Sequence, residues 1–192
     1  MACFIKAPLV KQTISTTMKT FNKLKAVILL LAVVAVSATS CKKDKTEKPK
    51  AGAATVAVGN YGFDGGSSGK FSSTAAAIVK IGPIFNVTAI IDGGKQSINI
   101  NLLGVTGVKE YDLDAGNASG NVAYMFKDFQ KTTEGYSTQN SSAASVIGGG
   151  KVNITKLTDT EAEGTFYVIA YNSAKQEAFA ENGTFKGTIT KE

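Results

Sequence analysis

Phe85–Leu102 reads FNVTAIIDGGKQSININL. Phe85, Val87, Ala89 and Ile91 fall on one parity, and Ile98, Ile100 and Leu102 alternate with Asn99 and Asn101. A period of two places each apolar set on one side of an extended strand. Between the two runs, Asp92-Gly93-Gly94 is turn chemistry, because glycine reaches positive φ without a Cβ clash. The stretch predicts two strands joined by a short turn.

The same period continues downstream. Tyr111 and Leu113 follow a Gly104–Gly107 turn, and Val122, Tyr124 and Phe126 alternate with Ala123, Met125 and Lys127. Thr132 to Ser145 is polar and Ser-rich, which reads as a long loop or an edge. Gly148-Gly149-Gly150 precedes a strand at Lys151–Thr155, and Gly164–Tyr171 is β-branched and aromatic. Thr184, Lys186, Thr188 and Thr190 face away from Phe185 and Ile189. After Gly52 no stretch carries a sustained helical period, and Ser173–Ala180 is read as one short helical turn at most. Short strands separated by Gly-rich turns predict an all-β fold, an antiparallel β-sandwich or barrel-like single domain over residues 71–192. Glu163-Gly164-Thr165-Phe166 echoes Asn182-Gly183-Thr184-Phe185, and Gly93-Gly94-Lys95 echoes Gly149-Gly150-Lys151. These echoes read as repeated hairpin chemistry, since a solenoid needs more copies at a fixed period.

Upstream the chain changes character. Lys19, Lys23 and Lys25 lead into the unbroken apolar run Ala26–Val36, followed by the small residues Ser37 to Ser40 and then Cys41. A basic lead, a short apolar run and small residues are the layout of a secretory signal peptide. The run is shorter than the roughly 20 apolar residues a spanning helix needs. Met18 begins a complete signal, so residues 18–40 are read as the signal and residues 1–17 as lying upstream of the true start. Ala38-Thr39-Ser40-Cys41 resembles the lipobox of bacterial lipoproteins. That resemblance implies alkylation of the Cys41 thiol with a diacylglyceryl group, cleavage before it, and acylation of the new amino terminus with a chain such as palmitate. Two or more acyl chains give stable membrane anchoring, each buried CH₂ contributing about 0.8 kcal/mol. Residues 41–70 are then expected to form a lipidated, flexible tether: Lys42–Lys50 is charged and contains Pro49, Ala51–Lys70 is Gly- and Ala-rich, and Gly65–Gly69 reads as a loop. The lysines after Cys41 could rest on anionic headgroups, but a plain spacer is the favoured reading.

Charge sorts the same way. The chain carries a net charge of +6. From Ala51 onward there are 11 Lys against 13 Asp plus Glu, a net of −2. The basic balance therefore belongs to signal and tether, and a nucleic-acid partner, which needs a basic face, is not expected. His, Arg and Trp are absent from the sequence. That removes the commonest general base and metal ligand, the bidentate anion clamp and the strongest stacking platform. With Cys3 upstream, Cys41 is the only cysteine after the signal, so an internal disulfide is not expected.

Several residue groups invite a site reading. Asp112-Leu113-Asp114-Ala115-Gly116-Asn117 offers oxygen ligands that would suit calcium, but lacks the full loop order and closing Glu, so a solvated turn is favoured. Asp92, Glu110, Asp128 and Glu134 are the carboxylates that would have to pair for glycoside hydrolysis, and otherwise are ordinary surface. Gly65–Lys70 lacks the phosphate-loop order. Asn-x-Ser/Thr triplets at Asn86, Asn117, Asn140, Asn153 and Asn182 read as turn chemistry rather than glycan acceptors. Tyrosines are the best binding candidates. If Phe166 faces the core, Tyr167 and Tyr171 share an outer aromatic strip suited to a glycan or a protein partner. Favoured over it is a strand buried on both faces, because Phe166 to Ile169 are all large and mainly apolar.

Ile98-x-Ile100-x-Leu102, Tyr111-x-Leu113, Gly150-x-Val152-x-Ile154 and the two Gly-Thr-Phe segments together resemble the small β-rich lipoproteins of unknown function common in Bacteroidota. The resemblance implies an all-β envelope lipoprotein, anchored in the outer membrane on its periplasmic or outer face, and supplies no catalytic residues. The expectation is a lipid-anchored, non-catalytic binding or structural domain without cofactor or metal. Its partners would be the membrane through the lipid, and a glycan or an envelope protein. The alternatives are a surface glycan- or protein-capture module and, third, a glycoside hydrolase-like enzyme.

Overall fold

β3 (Ile84–Ile91) and β4 (Gln96–Leu103) form where the alternation puts them, joined through a 3-10 turn at Asp92–Gly94. Phe85 pairs with Leu102, Val87 with Ile100 and Ala89 with Ile98, and all six are buried. This computed structural model describes residues 54–191. Residues 1–53, with the upstream stretch, the signal, Cys41 and the first part of the tether, lie outside the described residues. The remaining strands are β1 (Ala54–Phe63), β2 (Gly66–Ile81), β5 (Glu110–Asp112), β6 (Val122–Phe126), β7 (Tyr136–Ser137), β8 (Gly149–Leu157), β9 (Glu161–Tyr171) and β10 (Glu177–Lys191). Among the described residues there is no α-helix, and no helix long and apolar enough to cross a membrane.

The ten strands make one sheet that closes on itself. The ring runs β1-β2-β3-β4-β6-β7-β9-β10 and back to β1, antiparallel at each of these steps. β8 pairs along the other edge of β9, and β5 pairs with β8. The all-β, barrel-like expectation holds. Inward side chains from every wall meet in one core, including Val56, Ile78, Phe85, Ile100, Met125 and Phe185. Closure removes free edges from the ring itself, and the sheet ends at β5, which pairs only with β8.

Two features of the ring were not foreseen. First, the sheet begins well before residue 71. β1 and the start of β2 occupy part of the 41–70 stretch read as tether. Gly65–Gly69 is not a loose loop: Asp64-Gly65 is a two-residue hairpin turn with φ of 55° and 77°, and Gly66 pairs with Phe63. Asp-Gly favours this turn because both central residues need positive φ. Second, β7 is short and meets β9 only at Ser137 and Tyr171. Asparagine side chains reinforce the ring on either side. Asn121 Oδ1 accepts the Leu103 N–H at 2.9 Å and its Nδ2 donates to the Asp112 carbonyl at 3.0 Å, tying β4 to β5. Asn140 Nδ2 donates to the Tyr171 carbonyl at 2.8 Å. Asn117, Asn140 and Asn182 do sit in turns or a bulge, whereas Asn86 and Asn153 lie within strands.

The echoed Gly-Thr-Phe segments lie opposite each other on β9 and β10. Gly164 pairs with Phe185, Thr165 with Thr184, and Phe166 with Gly183. Each ring lies over the glycine of the facing strand. A Cβ at Gly164 would come within 2.6 Å of Phe185 Cε1, and one at Gly183 within 2.6 Å of Phe166 Cδ2. The helical turn weighed for Ser173–Ala180 does not form: β10 starts at Glu177, where pairing with β9 overrides the helix preference of an Ala-, Lys- and Glu-rich segment.

Candidate functional site

On β9, Ala162, Gly164, Phe166, Val168 and Ala170 turn inward, and Thr165, Tyr167 and Ile169 turn outward. Phe166 faces the core and Tyr167 retains 44% of its surface, so β9 is wet on one face rather than buried on both. Tyr171 does not join the strip. It is 5% exposed, at the strand end where β7 meets β9, and its hydroxyl donates to Glu177 Oε2 at 3.0 Å. Burial, with the neighbouring Glu177 carboxylate, pushes its phenol above the ordinary value. The outer strip is therefore Tyr167 with Ile169, and Tyr171 is a structural hydroxyl.

Tyr167 sits at the middle of a polar band. Lys151 of β8 is its cross-strand partner on one side. Lys151 in turn meets Glu110 at 3.1 Å and Asp112 at 3.9 Å, and the Glu110 hydrogen bond and charge raise the pKa of its ammonium. On the other side the β9–β10 register slips between Ala180 and Gly183, and Asn182 takes a φ of 53°. This bulge turns both Glu181 and Asn182 to solvent, where regular alternation would bury one of them. Asn60 Nδ2 donates to Glu181 Oε2 at 3.1 Å and Ser67 Oγ donates to Asn60 Oδ1 at 2.7 Å, carrying the band onto β1 and β2. Shallow depressions flank Asn182, one lined by Tyr167, Ile169 and Glu181, the other by Gly59, Lys70 and Phe71. A Cβ at Gly59 would lie 3.0 Å from Asn182 Cβ, so glycine there leaves room for the bulge. An exposed ring beside an ammonium, a carboxylate and amides offers a face for stacking and an edge for hydrogen bonding.

Several other candidates are taken up locally. Asp114 Oδ1 accepts the Gly116 N–H at 2.9 Å, and Asn117 Nδ2 bonds the Asp114 carbonyl and, at 2.9 Å, the Asn121 carbonyl. The Asp112–Asn117 stretch is a self-bonded turn, and among the described residues no group of three or more Asp, Glu, His or Cys gathers as a metal site. Glu110 holds Lys151, and Asp128 Oδ1 caps the Gln130 N–H at 3.0 Å. Glu134 lies in the 3-10 turn Thr132–Glu134, and Asp92 begins the turn after β3. Tyr111 is buried with its hydroxyl on the Gly107 carbonyl at 3.1 Å. Tyr136 is also buried, and its hydroxyl donates to Asp64, which pairs with Lys127 as well. That cluster pins the β1–β2 turn to β6 and β7, and the Asp64-Gly65 dipeptide was its available sequence signal. Comparison with protein-family models, curated proteins and solved structures finds no match to this chain.

Proposed function

We propose that this chain is a lipid-anchored domain of the cell envelope with a non-catalytic binding or structural role. The observation that carries the reading is Lys19–Cys41, a signal ending in a lipobox-like Ala38-Thr39-Ser40-Cys41. The domain suits such an anchor. Ala54, its first described residue, lies where β1 begins between β10 and β2, and beyond it those two strands pair directly. Twelve residues separate Cys41 from Ala54, a reach of at most about 45 Å when fully extended. The body would then stand close to the bilayer, its Ala54 end joined to the leash and its Asp64-Gly65 end pointing along β1 away from that junction.

The reading includes anchorage in the outer membrane, in keeping with the resemblance to Bacteroidota lipoproteins. A glycan- or protein-capture role is favoured by Tyr167, half-exposed within its band of Lys151, Glu181 and Asn182. The experiment is membrane fractionation of the native chain against Cys41→Ser, with radiolabelled palmitate. Native protein should be labelled and sediment with membranes, and Cys41→Ser should be unlabelled and soluble. Equal partitioning of both would overturn the anchor.

A further inference from the structure

Across the ring from β9, the outer face of β3, β4 and β6 has a different chemistry. Register aligns Asn86 with Asn101, and Thr88 with Asn99 and Tyr124. No outward position on these three strands carries a charge, although 19% of the chain is charged and the Tyr167 wall bears Lys151, Glu110 and Glu181. Asparagine is disfavoured within strands, yet three stand together here. Breaches of local preference concentrate at functional sites.

The amides are unevenly satisfied. Asn86 is 4% exposed, and its Nδ2 faces three acceptors: Asn101 Oδ1 at 2.9 Å, Asn99 Oδ1 at 3.2 Å and the Ile100 carbonyl at 3.2 Å. Its own Oδ1 is buried without a partner. Asn101 Nδ2 donates to Asn99 Oδ1 at 2.6 Å. Leaving a buried amide oxygen unpaired costs stability, and a purely structural role would be served as well by threonine or valine. Asn86 thus holds Asn99 and Asn101 in fixed orientations on the half-exposed surface. Beside them the Tyr124 and Phe126 rings lie with centroids 6.3 Å apart and planes 23° apart. Phe126 is seated by Gly135, where a Cβ would lie 3.0 Å from ring Cδ1. The result is two near-parallel rings flanked by ordered amides.

We infer that this face binds an uncharged glycan, with Tyr124 and Phe126 stacking on sugar rings and Asn99, Asn101 and Thr88 bonding their hydroxyls. The C–H face of a pyranose suits an aromatic plane, and hydroxyls both donate and accept, as amides do. A phosphate, nucleic acid or acidic peptide requires cations that this face does not have. An apolar partner would bury the donor and acceptor capacity that the mutual bonds of Asn99 and Asn101 leave open. The inference supplies a ligand class for the binding role proposed above, on a wall separate from Tyr167, and it does not need the Cys41 anchor.

The test uses the full chain in mild detergent, titrated with soluble β-glucan, xylan, mannan and, as an anionic control, polygalacturonate. Binding is read by calorimetry and by tyrosine emission, which no tryptophan masks. At least one neutral polysaccharide should bind, and Tyr124→Ala should weaken it about tenfold or more. Thr88→Lys, which leaves the rings in place, should weaken it too, and Lys186→Ala should not. Binding to no neutral polysaccharide would overturn the inference. So would binding unchanged in both Tyr124→Ala and Thr88→Lys, preference for polygalacturonate, or loss of binding in Tyr167→Ala alone. Failure of the anchor is read separately, by fractionation of Cys41→Ser.

Discussion

Gly183→Ala tests the ring-over-glycine packing of β9 and β10. A methyl at residue 183 would lie 2.5 Å from Phe166 Cζ and 2.6 Å from Cδ2. Carbon atoms rest about 3.5 Å apart or more, so the ring would have to retreat by about 1 Å. Phe166 is 4% exposed and has no open space to enter. Overpacking of this kind costs about 1–3 kcal/mol. A cost of about 2 kcal/mol lowers the melting temperature of a domain this size by about 6 °C. Gly164→Ala should cost more, because the Asn153 carbonyl oxygen of β8 lies 2.6 Å from the added carbon and cannot rotate away. Gly107→Ala is the control: nothing lies within 4 Å, and it should be neutral or stabilising by about 0.4–1 kcal/mol. Thermal and urea unfolding followed by far-ultraviolet circular dichroism reads all three. Phe166→Leu should relieve Gly183→Ala, so that the double variant costs less than the two single costs added together. A Gly183→Ala protein as stable as the parent, or additive single costs, would refute the packing.

Asn121→Ala should destabilise by about 1–3 kcal/mol in urea unfolding, because it strands the Leu103 N–H and the Asp112 carbonyl. Tyr171 holds its proton more tightly folded than unfolded, so stability should be intact below the ordinary phenol value of 10.0 and fall as pH rises past it. Tyr124 and Tyr136, both raised by burial, should add to that fall. Tyr171→Phe should make the alkaline decline shallower in unfolding measured across pH, and an unchanged slope would count against the burial and the Glu177 contact as its causes.

The strands that sequence reading found are those with high contrast between parities. Phe85–Leu102 is such a stretch, whereas Val122–Lys127, read with Val122, Tyr124 and Phe126 on one parity, forms β6 but buries the other parity, Ala123 and Met125. β1 was missed because Ala54, Ala57 and Gly59 lower that contrast, although Val56 and Val58 are buried by the expected alternation. Asp64-Gly65 was a stronger hairpin signal than the glycines after it suggested. The Gly-Thr-Phe echo was visible, and its meaning was not. Only register places each phenylalanine over the other strand's glycine. Parity put Tyr167 outward only on condition that Phe166 faces the core; the favoured reading, a strand buried on both faces, does not hold for β9. Tyr171 leaves the strip because at the strand end β7 and Glu177 cover it. Asn86, Asn99 and Asn101 are separated in sequence by a turn and gather only through β3–β4 pairing, so no local pattern reveals them.

The most direct test of the proposed anchor is mass spectrometry of the amino-terminal peptide of protein purified from membranes. The account predicts a peptide that begins at Cys41, with diacylglyceryl on the sulfur and an acyl chain on the α-amine. An unmodified Cys41 thiol, or a mature chain that retains residues before it, would contradict it.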